Sequence, residues 1–226
     1  LFRASYRPLN DNIINGRIRG VVGVVGCTNP RVKMDSVHVP LVKELVKNDI
    51  LVVMTGCASI ALAKEGLMIP ESAREMCGPG LAEVCETVGM PPVLNCGSCV
   101  DNSRILIACS EMVKTGGLGD KISDLPVAGV APEWMSEKAI AIGQYFVASG
   151  AYVVFGITFP VVQETEFAKL LFDGISERVG GKWAFIKDPH EIAQSIIAHI
   201  EAKREALGIN KKTERKLFDM EDRRQL

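Results

Sequence analysis

Apolar residues recur along this chain in two rhythms. Short runs rich in β-branched residues alternate with longer stretches in which apolar positions return every three or four residues. These are the signatures of buried strands and amphipathic helices. Val21-Val22-Gly23-Val24-Val25 reads as a buried strand and residues 36–48 as a helix. A second strand is predicted over 49–54, centred on Ile50-Leu51-Val52-Val53, and a helix over 59–65. Two short helices follow between 70 and 88, divided at Gly78-Pro79-Gly80. Pro92-Val93-Leu94-Asn95 forms a third strand and feeds a helix over 102–114; a fourth strand spans 125–130 after the break at Gly116-Gly117-Leu118-Gly119. Pro132 suits a first helical position, so one long helix is predicted over 132–149. Strands over 152–155 and 182–186 and helices over 164–172 and 188–207 complete the reading.

Such alternation predicts an α/β fold: a Rossmann-like, mostly parallel sheet flanked by helices on both faces. No linker divides the chain, so one domain is expected over 1–208, followed by a tail over 209–226 that is charged on all sides. From Ala139 to Gln163 no side chain is charged, which is long enough to suggest a membrane span. Gly150, Gly156 and Pro160 interrupt it, and its rhythm changes to the run Tyr152-Val153-Val154-Phe155. A buried helix followed by a central strand is the better account, and no membrane span is expected.

Composition narrows the function. With 26 Lys and Arg against 27 Asp and Glu, the net charge is −1. That leaves no basic excess to neutralise phosphates, so no nucleic-acid partner is expected. No charged segment leads into an apolar one at the start, so no signal peptide is visible; the first residue is Leu, and the chain is expected to begin inside a longer one. Seven cysteines is an odd and high number. It fits metal or redox use of thiols in a reducing, cytoplasmic setting better than a disulfide framework.

Ligands in open α/β sheets collect beyond the carboxyl ends of the strands. Cys27, Cys57 and Cys99 fall there, after the first, second and third predicted strands, each behind a small residue (Gly26, Gly56, Ser98) and ahead of a predicted helix. Helix N-terminal amides favour thiolate over thiol, and three thiolates on one rim suit a metal or iron–sulfur site. Cys77, Cys85 and Cys109 lie in predicted helix interiors and read as small buried hydrophobes. Cys96 reads either as a last strand residue or as a thiol supporting the site. Cys96-Gly97-Ser98-Cys99 also admits a thiol–disulfide redox motif, which leaves Cys27 and Cys57 unexplained. Gly20, Gly23 and Gly26 lie within the strand rather than the turn, unlike phosphate-cradling glycines. His38, His190 and His199 lack metal-ligand spacing, so structural or surface roles are expected.

Lys138 is the second candidate. On a helix running from 132, its neighbours three and four residues away are Trp134, Met135, Ala141 and Ile142, all apolar. Either its stem packs there while the ammonium reaches water, or a lysine held in apolar surroundings stabilises negative charge or transfers a proton.

Together, Val25-Gly26-Cys27-Thr28-Asn29-Pro30-Arg31, Thr55-Gly56-Cys57, Gly97-Ser98-Cys99-Val100-Asp101-Asn102-Ser103-Arg104 and Ala131-Pro132-Glu133-Trp134-Met135-Ser136-Glu137-Lys138-Ala139 resemble the nickel–iron–sulfur carbon monoxide dehydrogenases of anaerobes. The likeness runs from about Asn10 to Gly208 and corresponds to the C-terminal α/β domain of that family. It implies an oxidoreductase that oxidises CO with water to CO2, two protons and two electrons. By the same resemblance Cys27 and Cys57 bind irons of the Ni-Fe-S cluster and Cys99 reaches the nickel. Lys138 is then the catalytic lysine and Ile142 the apolar residue crowding the substrate. A histidine and further cysteines of the cluster, a catalytic histidine and additional [4Fe-4S] clusters at a homodimer interface come from upstream segments in the family. The 226 residues alone are therefore expected neither to complete the cluster nor to turn over. Implied partners are a redox protein such as ferredoxin and an acetyl-CoA synthase subunit. Competing readings are a hybrid-cluster-type hydroxylamine reductase relative, which shares fold and thiolate use but not the Lys138 motif, and a non-catalytic metal-binding domain.

Overall fold

The computed structural model describes residues 5–156 and 165–210. Six parallel strands form its sheet: β1 (Gly20–Val24), β2 (Ile50–Met54), β3 (Val93–Asn95), β4 (Val127–Ala131), β5 (Tyr152–Phe155) and β6 (Lys182–Phe185), in the order β3-β2-β1-β4-β5-β6. This is the doubly wound order, with a topological switch between β1 and β4. The helices are α1 (Arg7–Ile14), α2 (His38–Lys47), α3 (Cys57–Lys64), α4 (Ala73–Met76), α5 (Pro79–Val88), α6 (Asn102–Thr115), α7 (Glu137–Ala148), α8 (Glu166–Lys169), α9 (Ile175–Val179) and α10 (Pro189–Ala206). Among the described residues no helix is long and apolar enough to cross a membrane.

Register explains how the faces are used. Val22 pairs with Val52 and Ala128, Val52 with Val93, and Ala128 with Tyr152; aligned partners share a face. That face packs on α2 and α10, whose Leu41, Leu45, Ile192 and Ile196 are fully buried in the main core. The opposite face carries Gly23, Val53, Gly129 and Val153 in register and meets α6 and α7. There a smaller core gathers Phe155, Val147 and Val153 with Trp134, Trp183 and Phe185.

Sequence and structure agree on every strand to within about two residues, and on the helices that flank them. They part in three places. α1 was not anticipated. The segment predicted as helix from Pro132 is irregular up to Ser136, which is extended, and α7 starts at Glu137. The helix predicted over 164–172 is one α-turn, α8, running through a π-helical turn at Leu170–Gly174 into α9. Part of the uncharged stretch (157–163) and the charged tail from 211 on lie outside the described residues.

Two histidines are structural, as expected. Burial holds His38 down to about 4, and burial with Lys182 and Lys203 alongside holds His199 there as well. Both values sit below the ordinary 6.5, so the unfolded chain takes up these protons first. Stability is complete above that value and is lost as pH falls towards 4. The expected slope is up to about 1.4 kcal/mol per pH unit for each histidine. Urea unfolding across this interval checks it, and a flat profile would count against both.

Candidate functional site

Three turns leave the carboxyl edges of β1, β2 and β3 and interlock. The amide of Gly56 donates to the Gly97 carbonyl at 2.9 Å, and the Cys96 amide to the Met54 carbonyl at 2.8 Å. Buried Thr55 donates its hydroxyl to Asn102 at the head of α6. Gly56 has φ +67°, and a Cβ there would lie 3.3 Å from the Gly26 carbonyl oxygen and 3.6 Å from the Cys99 Cβ. All three turns therefore meet at Gly56. Ser98 caps the Cys99 turn together with Asp101, whose carboxylate accepts from the Ser98 amide at 2.9 Å. That bond holds the carboxyl below its ordinary pKa.

Cys27 and Cys99 line a cavity of about 670 Å³ beneath the sheet, between α6 and α7. Lys138 and Ile142 line the same cavity from α7, one helical turn apart. Its roof includes Gly23 and Gly129, which lie side by side in register and leave the sheet bare there. A Cβ at either would meet nothing closer than 3.6 Å. The cavity thus owes its height to missing side chains rather than to a backbone that demands glycine. Cys57 is exposed at the first position of α3, beside Gly56 rather than on the cavity wall.

Two expectations need correction. Of the two readings left open for Lys138, the structure favours the one in which the side chain reaches water, for it is exposed; what needs correction is the apolar helical surroundings read around it. The reason is the late start of α7: Trp134 and Met135 precede the helix and do not share its face. Cys27 also has no helix directly behind it, because irregular chain separates it from α2. Its amide is instead satisfied by the Glu133 carbonyl at 2.9 Å.

The remaining thiols behave as structural residues. Burial pushes the Cys77 thiol up to about 12 and those of Cys85 and Cys109 to about 11. Cys96, which extends the β3 ladder, is raised by burial too. Sequence reasoning missed Glu133, Asn29 and the contact between Glu133 and His38. Glu133 is fully buried; its Oε2 accepts the Asn29 amide at 3.0 Å and its Oε1 lies 3.4 Å from His38 Nδ1. Burial raises the Glu133 pKa and keeps His38 neutral near pH 7, so this is a polar contact and not an ion pair. The only sequence signal was a carboxylate set beside Trp134 and Met135.

A family model, the Prismane/CO dehydrogenase family, matches residues 2–190. The chain belongs to the Prismane/CO dehydrogenase family. Carbon monoxide dehydrogenase 1 of Methanosarcina mazei is 50% identical over 206 residues, covering 91% of this chain and 32% of that protein. A Ni-free crystal structure of carbon monoxide dehydrogenase from Thermococcus sp. AM4 superposes with TM-score 0.83 at 51% identity, covering 89% of this chain and 31% of the other. A structure of acetyl-CoA synthase/carbon monoxide dehydrogenase, with NiZn[Fe4S4] and NiNi[Fe4S4] clusters in its alpha subunits, superposes at 0.81 and 35% identity over 90% of this chain and 31% of that one. The chain thus spans about a third of the length of these family members.

Three thiols on interlocked turns are soft donors, suited to nickel and iron rather than to oxygen-seeking cations. Among the described residues no three His, Cys, Asp or Glu side chains gather into a group that could hold a metal ion. By their chemistry these thiols could supply soft donors to a Ni-Fe-S cluster, but as part of a ligand shell and not as a closed site.

Proposed function

We propose that this chain is the C-terminal, cluster-binding domain of an anaerobic carbon monoxide dehydrogenase, oxidising CO with water to CO2, two protons and two electrons. The observation that carries the reading is the shared cavity: two of the three candidate thiols, Lys138 and Ile142 reach one apolar space from three separate stretches of chain. Cys27, Cys57 and Cys99 would hold part of the Ni-Fe-S cluster, and the remaining ligands and [4Fe-4S] relay clusters would come from outside these residues. When bound, the cluster supplies a soft metal centre that binds carbon monoxide and takes up the two electrons.

The chain's own residues do the rest. The apolar walls, bared further by Gly23 and Gly129, admit a small uncharged gas and exclude ordered water. Ile142 narrows the space beside the reacting carbon. Lys138, at the mouth, brings a cation to the place where negative charge grows on the substrate oxygens and is lost as CO2 leaves. Its exposure suits that role, because the side chain stands beside water that carries protons away. Homodimerisation, transfer of electrons to a ferredoxin-like protein, association with an acetyl-CoA synthase subunit and a cytoplasmic location belong to the same proposal.

Lys138→Ala tests it in the intact enzyme. Nickel and iron content and the cluster's electron paramagnetic resonance spectrum are expected to stay as in the parent. CO oxidation is expected to fall about 100-fold or more. Undiminished turnover would remove the role assigned to Lys138, and a parent enzyme without nickel would favour the hybrid-cluster type.

A further inference from the structure

Glu133 sits where the two halves of the candidate site join. Its carbonyl oxygen accepts the Cys27 amide at 2.9 Å, and its carboxylate accepts the Asn29 amide at 3.0 Å. Asn29 returns a bond from Nδ2 to the Trp134 carbonyl at 3.2 Å. Residues 27–29 and 133–134 are thus laced together by three hydrogen bonds. Glycines flank the lacing on both sides. A Cβ at Gly26, whose φ is +119°, would collide with the Glu133 carbonyl oxygen, and one at Gly156 would collide with that of Pro132. Two residues beyond Trp134, extended Ser136 leads into α7, which carries Lys138 and Ile142.

Burying a carboxyl group in this strap is costly: Oε2 is hydrogen-bonded, while Oε1 lies buried with His38 Nδ1 3.4 Å away and no hydrogen bond. Any acceptor could close a loop. Here the side-chain oxygen of Glu133 accepts the Asn29 main-chain amide at 3.0 Å, a directional bond that fixes the turn. We propose that Glu133 is a positioning residue: it locks the turn bearing the Cys27 thiol and the start of the Lys138 helix into one register, so that sulfur and ammonium keep a set separation across the cavity. The proposal rests on the reading of Cys27 and Lys138 given above. Misplacement of reacting groups by about an ångström is enough to lower turnover about 100-fold.

The test compares Glu133→Ala, Glu133→Gln and Asn29→Ala in the intact enzyme. Glutamine keeps an oxygen for the Asn29 amide; alanine removes it. Expected for Glu133→Ala is an altered cluster resonance spectrum and kcat lower by about 10- to 100-fold, with KM for CO changed little. Glu133→Gln is expected to restore the parent spectrum and most of the turnover, and Asn29→Ala to show a milder version of the alanine defect. Thermal melting that drops while the folded fraction keeps the parent spectrum and kcat would overturn the proposal. Should Glu133→Ala fail to fold, Glu133→Met decides on the same terms, since it keeps the volume and removes the oxygen that accepts the Asn29 main-chain amide.

A readout free of the cluster separates this proposal from the functional one. In metal-depleted protein, alkylation of Cys27 by iodoacetamide, followed by peptide mass spectrometry, is expected to run about tenfold faster in Glu133→Ala than in the parent, as the turn loosens. Equal rates would overturn the lacing even where CO oxidation behaves as proposed. Faster alkylation in a protein that never binds nickel would instead uphold the lacing and sink the function.

Discussion

Replacing Cys27 or Cys99 by alanine is expected to strip the intact enzyme of its cluster, and with it all but about 1% of CO oxidation. A thiolate is a bond to the metal and not a contact beside it, and alanine offers no substitute donor. Cys99→Ala is expected to lose nickel preferentially, and Cys27→Ala and Cys57→Ala to lose iron as well. The structure supplies matched controls within the same chain. Cys77, Cys85 and Cys109 are held as neutral thiols by burial, with pKa values of about 11 or 12. Alanine at those positions removes only packing, so metal content should hold while stability falls by about 1 kcal/mol. Metal analysis and resonance spectra on the two groups check the contrast. Cys27→Ala with full metal and turnover would end the ligand assignment, whereas loss of metal with Cys85→Ala would point to indirect damage through the fold.

Much of this architecture is legible in the sequence because its strands are buried on both faces. A central parallel strand such as Tyr152–Phe155 has to be apolar at every position, and the run stands out from its amphipathic surroundings. Elements with a polar job are harder to see. α1 buries Asn10, whose Nδ2 donates to the carbonyls of Met112 and Gly116 at 2.9 Å. A polar residue on the buried face breaks the periodicity that announces a helix. The segment after β4 fails for the opposite reason. Pro132 is a sound first helical residue and the following residues would tolerate a helix, but the Glu133 backbone and carboxylate are bound to the Cys27 turn instead. Tertiary bonding overrides local preference there.

Of the candidate site, the sequence offered three strand-end points and not a surface, and two of them, Cys27 and Cys99, line the shared cavity. Strand-end position was enough to single out Cys27, Cys57 and Cys99, since topology alone brings those turns together. Which side chains share a space depends on φ at glycines and on where α7 begins. Lys138 is exposed because the helix starts one residue before it, a boundary that spacing rules miss. The partners that fix the turns are single residues: Asn29 bonds across about a hundred positions to the Glu133 carboxylate through its amide and to the Trp134 carbonyl through its side chain. No periodic signal marks such pairs.

Arg204→Ala is expected to cost more stability than any exposed substitution in this fold. Arg204 is fully buried near the end of α10, and its guanidinium meets main-chain oxygens. Nη1 donates to the carbonyls of Ile13 at 2.7 Å and Arg19 at 3.0 Å, and Nη2 to that of Ile209 at 2.5 Å. These bonds tie the end of α1 and the entry to β1 to the last helix. Burial, helped by neighbouring Arg19, lowers its pKa to about 10, so it stays cationic at neutral pH. Arg19 itself pairs with Glu201, one turn earlier on α10. Charge-assisted bonds contribute roughly 1.5–3 kcal/mol each, and their loss would strand buried carbonyls beside a cavity. The expected decrease for alanine is about 4 kcal/mol, or roughly 10 °C in melting temperature for a chain of this size. Lysine brings one compact charge without the fork and should recover about half. The exposed pair Lys114–Glu111, 2.7 Å apart, sets the scale from the other side: breaking it should change stability by under about 1 kcal/mol. Arg204→Met separates volume from hydrogen bonding, because it fills the space and donates nothing. A methionine variant as stable as the parent would show that packing alone holds the two ends together; a loss close to that of alanine assigns the work to the guanidinium.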